Sequence, residues 1–202
     1  MRVIVIGGTG TIGSAVVKRL STRHEVVVVG HKKGTFQVDL ASPDSITSLF
    51  KAIGTCDAVV STAGIAKFAS LDDLTYDDYF IGLKNKLMGQ ANLVRIGRPF
   101  VTNHGSFTLT SGVLSQNPMK GSASISMVNA GLEGFVRAAA IDLPRGLRVN
   151  VVSPPWVTET LIARSMDPSI GIPADQVAQA YVASVEGTMS GQTLDPRQIA
   201  AA

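Results

Sequence analysis

An α/β architecture is predicted for this chain, a doubly wound parallel sheet flanked by helices, and three observations predict it. Short runs rich in Val and Ile alternate with stretches whose apolar residues recur at helical spacing. The runs show little in-out alternation, which is how strands covered on both faces read. A glycine-rich turn joins the first run to the first helical stretch. Strands that alternate with helices imply right-handed crossovers and a parallel sheet. With 202 residues, 45% of them hydrophobic, the chain suits a single domain, 1–202, with a sizeable core.

Taken in order, the predicted strands are Arg2–Ile6, Glu25–Val29, Thr35–Val38, Ala58–Ser61, Ser106–Thr110 and Arg148–Val152. Ile12, Val16 and Leu20 lie on one face of a first helix. Ser42 followed by Pro43-Asp44-Ser45 reads as an N-cap and a helix start. Leu132, Phe135, Val136 and Ala139 mark the apolar face of a long helix. The least regular stretch, 154–173, follows a strand end, where open α/β sheets bind ligands.

Composition narrows the function classes. The net charge is +3, and no basic run exceeds the pair Lys32-Lys33, so no nucleic-acid partner is expected. One cysteine, Cys56, permits no intrachain disulfide and fits a reducing compartment. The apolar start reaches a glycine turn within a few residues, too soon for a signal peptide or a membrane span. A cytoplasmic protein with no membrane partner and no metal site is the expectation.

The chemistry begins at Gly7-Gly8-Thr9-Gly10-Thr11-Ile12-Gly13, between the first strand and the first helix. Glycines there allow a tight turn, close approach of backbone to a pyrophosphate, and close helix-strand packing. The helix N-terminus adds free N–H groups and partial positive charge. This is the Rossmann-type arrangement for a nicotinamide dinucleotide; the competing reading is a structural turn without a ligand. Where NAD-binding domains place an acid for the ribose 2′-OH, this chain has Gly30-His31-Lys32-Lys33. Cationic groups there pair with a 2′-phosphate, which favours NADP over NAD; otherwise Lys32 and Lys33 form a solvated turn.

These residues resemble the short-chain dehydrogenase/reductase family, and the resemblance runs along nearly the whole chain. Val38-Asp39-Leu40 looks like the segment whose Asp contacts adenine. Ser61-Thr62-Ala63-Gly64 resembles the stretch after the fourth strand. Thr108-Leu109-Thr110-Ser111-Gly112 resembles the end of the fifth strand, where the catalytic Ser sits. Gly146 to Pro154 matches the stretch before the nicotinamide-side loop, here Pro154-Pro155-Trp156-Val157-Thr158. The resemblance implies that the Val157 backbone and either Thr158 or Thr160 hold the nicotinamide carboxamide. It therefore assigns cofactor contacts to Gly7, Thr9, Gly10, Thr11, Ile12, Gly13, His31, Lys32, Asp39, Leu40, Thr62, Ala63, Gly64, Asn129, Pro154, Val157 and Thr158.

Two departures bear on catalysis. The family's helix carries Tyr-x-x-x-Lys, and here Ile125 stands in the Tyr slot and Asn129 in the Lys slot. Isoleucine transfers no proton. The family's active-site Asn, one strand-helix unit earlier, corresponds to Lys86 in Lys86-Leu87-Met88-Gly89. Lysine and amide are thus exchanged. If both face the cofactor, Lys86 can donate a proton or stabilise an oxyanion, and a desolvated lysine has a lowered pKa. Otherwise Lys86 is a surface charge beside Lys84. Ser111 keeps its position, either to bond a substrate carbonyl or to bond backbone at a strand end. The expected catalytic set is therefore Ser111, Lys86 and Asn129. Two functions follow: an NADP(H)-dependent oxidoreductase acting on a small carbonyl or conjugated substrate, with Lys86, water or the substrate supplying the proton, or an NADP-binding sensor or assembly protein without turnover. The family also implies a homodimer or homotetramer formed through helices near Asp77–Arg95 and Ser122–Leu143.

Overall fold

The computed structural model describes residues 1–199. Seven parallel strands form one sheet: β1 (Arg2–Ile6), β2 (Glu25–Gly30), β3 (Phe36–Gln37), β4 (Cys56–Ser61), β5 (Val101–Thr110), β6 (Arg148–Val152) and β7 (Thr193–Leu194). Their spatial order is β3-β2-β1-β4-β5-β6-β7. The chain leaves β1 toward one edge and, after β3, returns to its other side. That reversal opens a crevice beyond the carboxyl ends of β1 and β4.

The sheet is flanked by α1 (Thr11–Leu20), α2 (Pro43–Ile53), α3 (Tyr76–Gly82), α4 (Gly89–Gly97), α5 (Ala123–Asp142), α6 (Thr158–Ala163) and α7 (Ala174–Glu186), with α1 packed against α7 and α2 against α4. The sheet separates two buried clusters. Val3 and Val5 of β1 belong to one, with Val16 of α1 and Val177 and Tyr181 of α7. Ile4 and Ile6 point the other way, toward Leu49 and Phe50 of α2 and Leu93 of α4. Successive side chains of a strand face opposite sides, so β1, covered on both sides, is apolar throughout its buried length. Ser42 Oγ accepts the Ser45 N–H at 3.2 Å with Pro43 next to it, which starts α2 as its sequence predicts. Thr75 and Asp78 form a reciprocal capping box that starts α3.

Three of the predicted elements differ from the sequence reading, and β7 has no predicted counterpart. The strand predicted over Thr35–Val38 shrinks to Phe36–Gln37 at the sheet edge. β5 begins five residues before its predicted start, and its register with β4 jumps between Cys56–Val101 and Ala58–Ser106. The helix predicted over 77–95 contains a π-helical segment, Leu83–Met88, between α3 and α4. That segment carries Lys86. Wider turns of this kind recur at functional sites because they redirect side chains out of the regular helical register. No helix among the described residues is long and apolar enough to cross a membrane.

Candidate active site

Two clefts open along the carboxyl edge of the sheet. The first, about 430 Å³, lies over the β1–α1 turn. Gly7 has φ of 80°, a conformation glycine adopts at little cost. A Cβ on Gly13 would sit 2.0 Å from the Gly7 carbonyl oxygen, so any larger residue would push the helix off the turn. A Cβ on Gly10 would meet only that oxygen, at 3.3 Å, and the rest of its surroundings is open. Helix α1 starts without a side-chain cap and without an acid in its first turn. The N–H groups of Thr11, Ile12 and Gly13 have no backbone partner outside the helix, whereas Ser14 N–H already bonds Gly10 O. An uncapped helix start beside an open glycine turn is complementary to a diphosphate.

Eight of the residues assigned to the cofactor line this cleft: Gly7, Thr9, Gly10 and His31 on one side, Leu40, Thr62, Ala63 and Gly64 on the other. Ile6, Val38, Ile65 and Asn85 complete much of the wall and were not foreseen. Asn85 Oδ1 accepts the Ile65 N–H at 3.0 Å and ties the wall to the π-helical segment. The His31 Nδ1 lies 3.3 Å from Val38 O. A carbonyl only accepts, so Nδ1 carries the hydrogen and Nε2 is left for another partner. Lys32 is exposed on the adjoining turn, outside the lining. Asp39 is also exposed and outside it. Its Oδ1 accepts the Ala41 N–H at 2.9 Å, so a local turn holds the carboxylate expected at adenine.

The second cleft, about 260 Å³, lies between the ends of β5 and β6 and the chain after Pro154. Lys86, Ser111 and Asn129 all line it, with Ile125, Pro154 and Trp156. The Lys86 Nζ donates to Asn129 Oδ1 at 2.7 Å and to Ser111 O at 3.0 Å. Asn129 Nδ2 in turn donates to Gly112 O at 3.2 Å. The π-helical segment thus brings Lys86 against the very residue with which it is exchanged in sequence. A Cβ on Gly64 would lie 2.7 Å from Lys86 Cγ, so the stem of Lys86 passes directly under the wall of the cofactor cleft. Burial lowers the Lys86 pKa from its ordinary 10.5 to about 8. An ammonium has three N–H donors; two are used on protein oxygens, and the third is available on the cleft side.

Ser111 differs from its expected role. Its Oγ–H donates to Glu133 Oε1 at 3.0 Å, so the hydroxyl is committed as a donor into the protein instead of toward a substrate carbonyl. Glu133 is buried on α5, and Ser115 Oγ also donates to Oε1, at 2.6 Å. Burying a carboxylate is costly unless hydroxyls or cations satisfy it. The serines provide that satisfaction, and the carboxylate in return fixes the Ser111 rotamer. Sequence reasoning missed Glu133 because a lone acid in an amphipathic helix ordinarily marks its solvated face.

The loop residues divide. Val157 is buried in the core on the α7 side, and Thr158 N–H bonds Ile172 O at 3.0 Å; neither side chain lines the cleft. Thr160, one turn into α6, does line it, together with Arg164. Of the two threonines left open by the sequence, Thr160 is therefore the one at the cleft. The Val157 N–H has no backbone acceptor, so it is free for a ligand carbonyl. Among the described residues no group of three His, Cys, Asp or Glu side chains could hold a metal ion.

Comparison with known proteins adds a lineage to this geometry. A family model described as Enoyl-(Acyl carrier protein) reductase matches residues 11–202. The chain is 29% identical to the Short-chain dehydrogenase/reductase ATR9 of Stachybotrys chlorohalonatus, over 89% of this chain and 88% of that protein. The solved structure of the protein lin1944 from Listeria innocua superposes with a TM-score of 0.93 at 37% identity, covering 96% of this chain and 98% of that one. A small-chain dehydrogenase in complex with NADPH superposes with a TM-score of 0.85 at 25% identity, covering 96% and 95%.

Proposed function

The chain belongs to the short-chain dehydrogenase/reductase family, and from that premise we propose that it is an NADP(H)-dependent oxidoreductase that reduces a small carbonyl or conjugated substrate, with Lys86 as the proton donor. The observation that carries this reading is the Lys86–Asn129 pair at the second cleft, with Nζ 2.7 Å from Oδ1 and one N–H still free. The cofactor half rests on the glycine turn, the uncapped start of α1, and the NADPH bound by the similar small-chain dehydrogenase.

When bound, NADPH supplies a hydride to the substrate carbon. The protein's own residues do the rest. Gly7, Gly10 and the first N–H groups of α1 would hold the diphosphate, and the Val157 N–H would be the donor to the carboxamide. Lys86 donates its third N–H to the substrate oxygen, offsets the charge that develops there, and transfers a proton to it. Asn129 keeps the ammonium aimed by accepting one of its other hydrogens. Ser111 Oγ, a donor to Glu133, has lone pairs left to accept from the new hydroxyl. A lysine with a pKa of about 8 is mostly protonated at neutral pH and gives up its proton more readily than an ordinary one.

The experiment is spectrophotometric. NADPH absorbance should fall when quinones, reactive carbonyls and conjugated alkenes are supplied, and Lys86→Met should slow it by about 10²–10⁴-fold. Lys32→Glu should weaken NADPH binding more than NADH binding, because a lysine on this turn would pair with a 2′-phosphate and a glutamate would repel it. Unchanged turnover in Lys86→Met removes Lys86 from the chemistry. Tight NADPH binding with no turnover on the whole panel would assign the chain to cofactor binding without catalysis. We further propose a homodimer or homotetramer formed through the α4–α5 face, where Met88, Phe135 and Ala139 border a groove; a monomer in gel filtration at micromolar concentration contradicts it.

A further inference from the structure

The catalytic cleft has a charge pattern that proton donation alone does not explain. Its lining holds two cationic side chains, Lys86 and Arg164, and no Asp or Glu. Arg164 follows the last residue of α6, and its N–H bonds the carbonyls of Thr160 and Leu161. Ser165 comes next with φ of 55°, a left-handed turn that stops the helix there. The Arg164 backbone is therefore held at the rim of the cleft.

The acids on the same segment are committed elsewhere. Glu159 accepts the Ala174 N–H with both oxygens, at 2.9 and 3.1 Å, and so caps α7. Asp167 accepts the Ser169 N–H at 2.9 Å. Arg19, Arg23 and Arg197 each hold a carboxylate, whereas among the described residues no acid pairs with Arg164. Glu133 lies behind Ser111, outside the lining, with its carboxylate held by the Ser111 and Ser115 hydroxyls. A free guanidinium at the rim of a cleft lined by an ammonium and no acid is built to attract an anion, and its planar fork matches a carboxylate.

We propose that the cleft takes an anionic substrate, a small carbonyl compound bearing a carboxylate, which Arg164 binds at the rim while Lys86 faces the carbonyl oxygen. The carbonyl part of this statement rests on the oxidoreductase reading above; the carboxylate part rests on the charges alone.

Trp156, the chain's one tryptophan, lines the same cleft, so its fluorescence reports occupancy without turnover. Oxamate and oxamide are matched in size and differ in charge, and both are titrated into the full-length protein with NADP⁺ present. Oxamate should quench Trp156 at concentrations about tenfold lower than oxamide. Arg164→Gln should reduce that preference to about one, and Arg164→Lys should keep part of it, with circular dichroism unchanged in both. Equal quenching by the two probes, no quenching by oxamate at millimolar concentration, or a preference that survives Arg164→Gln each overturns the proposal. The two readings fail separately. If the oxamate preference depends on Arg164 and no carbonyl compound oxidises NADPH, the anion site stands and the oxidoreductase reading falls. If neutral carbonyls are reduced as fast as oxo acids and Arg164→Gln changes neither rate, the oxidoreductase reading stands and the anion site falls.

Discussion

Replacing Asn129 by Asp sets a negative charge directly against the Lys86 ammonium. The amide oxygen that now accepts from Nζ at 2.7 Å becomes a carboxylate oxygen at the same place. An opposite charge at this range favours the protonated lysine and raises its midpoint by about 1–3 pH units. Lys86 starts at about 8, because burial penalises its charged form. The variant should therefore titrate above 9. The exchange also sets an oxygen against Gly112 O, where Asn129 Nδ2 now donates at 3.2 Å. That lost bond costs about 1–3 kcal/mol of stability, which the new ion pair offsets in part. Nitrogen-detected NMR follows the Nζ resonance directly and needs no substrate. In a turnover assay the alkaline fall in carbonyl reduction should move up by the same interval. A midpoint that stays near 8 in Asn129→Asp would refute the reasoning, since the two groups would then not share the contact.

Further outcomes follow from the same geometry. Lys86 is harder to protonate in the folded chain than in the unfolded one, so its burial costs stability below pH 8, and the cost disappears as pH rises toward the ordinary 10.5. The stability of the native protein relative to Lys86→Met should accordingly rise by about 1–3 kcal/mol between pH 7 and pH 10.5, whatever the variant loses through the two hydrogen bonds of Nζ, as read by urea denaturation. Gly64→Ala should displace the Lys86 stem, because φ there is 143° and the new Cβ would lie 2.7 Å from Cγ; a loss of turnover of about tenfold or more, with NADPH binding also weakened, is expected. Glu133→Ala leaves the Ser111 and Ser115 hydroxyls without their shared acceptor and should cost about 2–4 kcal/mol, whereas Glu133→Gln, which keeps an acceptor oxygen, should cost less.

Much of this molecule is legible in its sequence, for identifiable reasons. β1 is apolar on both faces because helices cover both, and a run such as Val-Ile-Val-Ile fits a strand at the centre of a sheet covered on each side. The glycine turn is legible because the space around Gly13 excludes any side chain. β7, at two residues, is too short to leave a pattern. The π-helical segment is invisible for a different reason: over six residues, apolar spacing does not separate its wider turn from an ordinary one. The sequence therefore aligns Lys86 with Asn129 as an exchange, but only the structure brings Nζ to Oδ1. Glu133 and Arg164 carry charges that would read as solvated surface on any helix or loop. Their meaning comes from what surrounds them: hydroxyls for the buried acid, and no acid at all for the arginine.

The most direct test of the account is a crystal structure with NADP⁺ bound. The diphosphate should lie on the N–H groups at the start of α1, and the nicotinamide ring in the second cleft with the free N–H of Lys86 directed at the space beside its reactive carbon. A nicotinamide bound elsewhere, or a Lys86 ammonium turned away from that space with Asn129 no longer its partner, would contradict it.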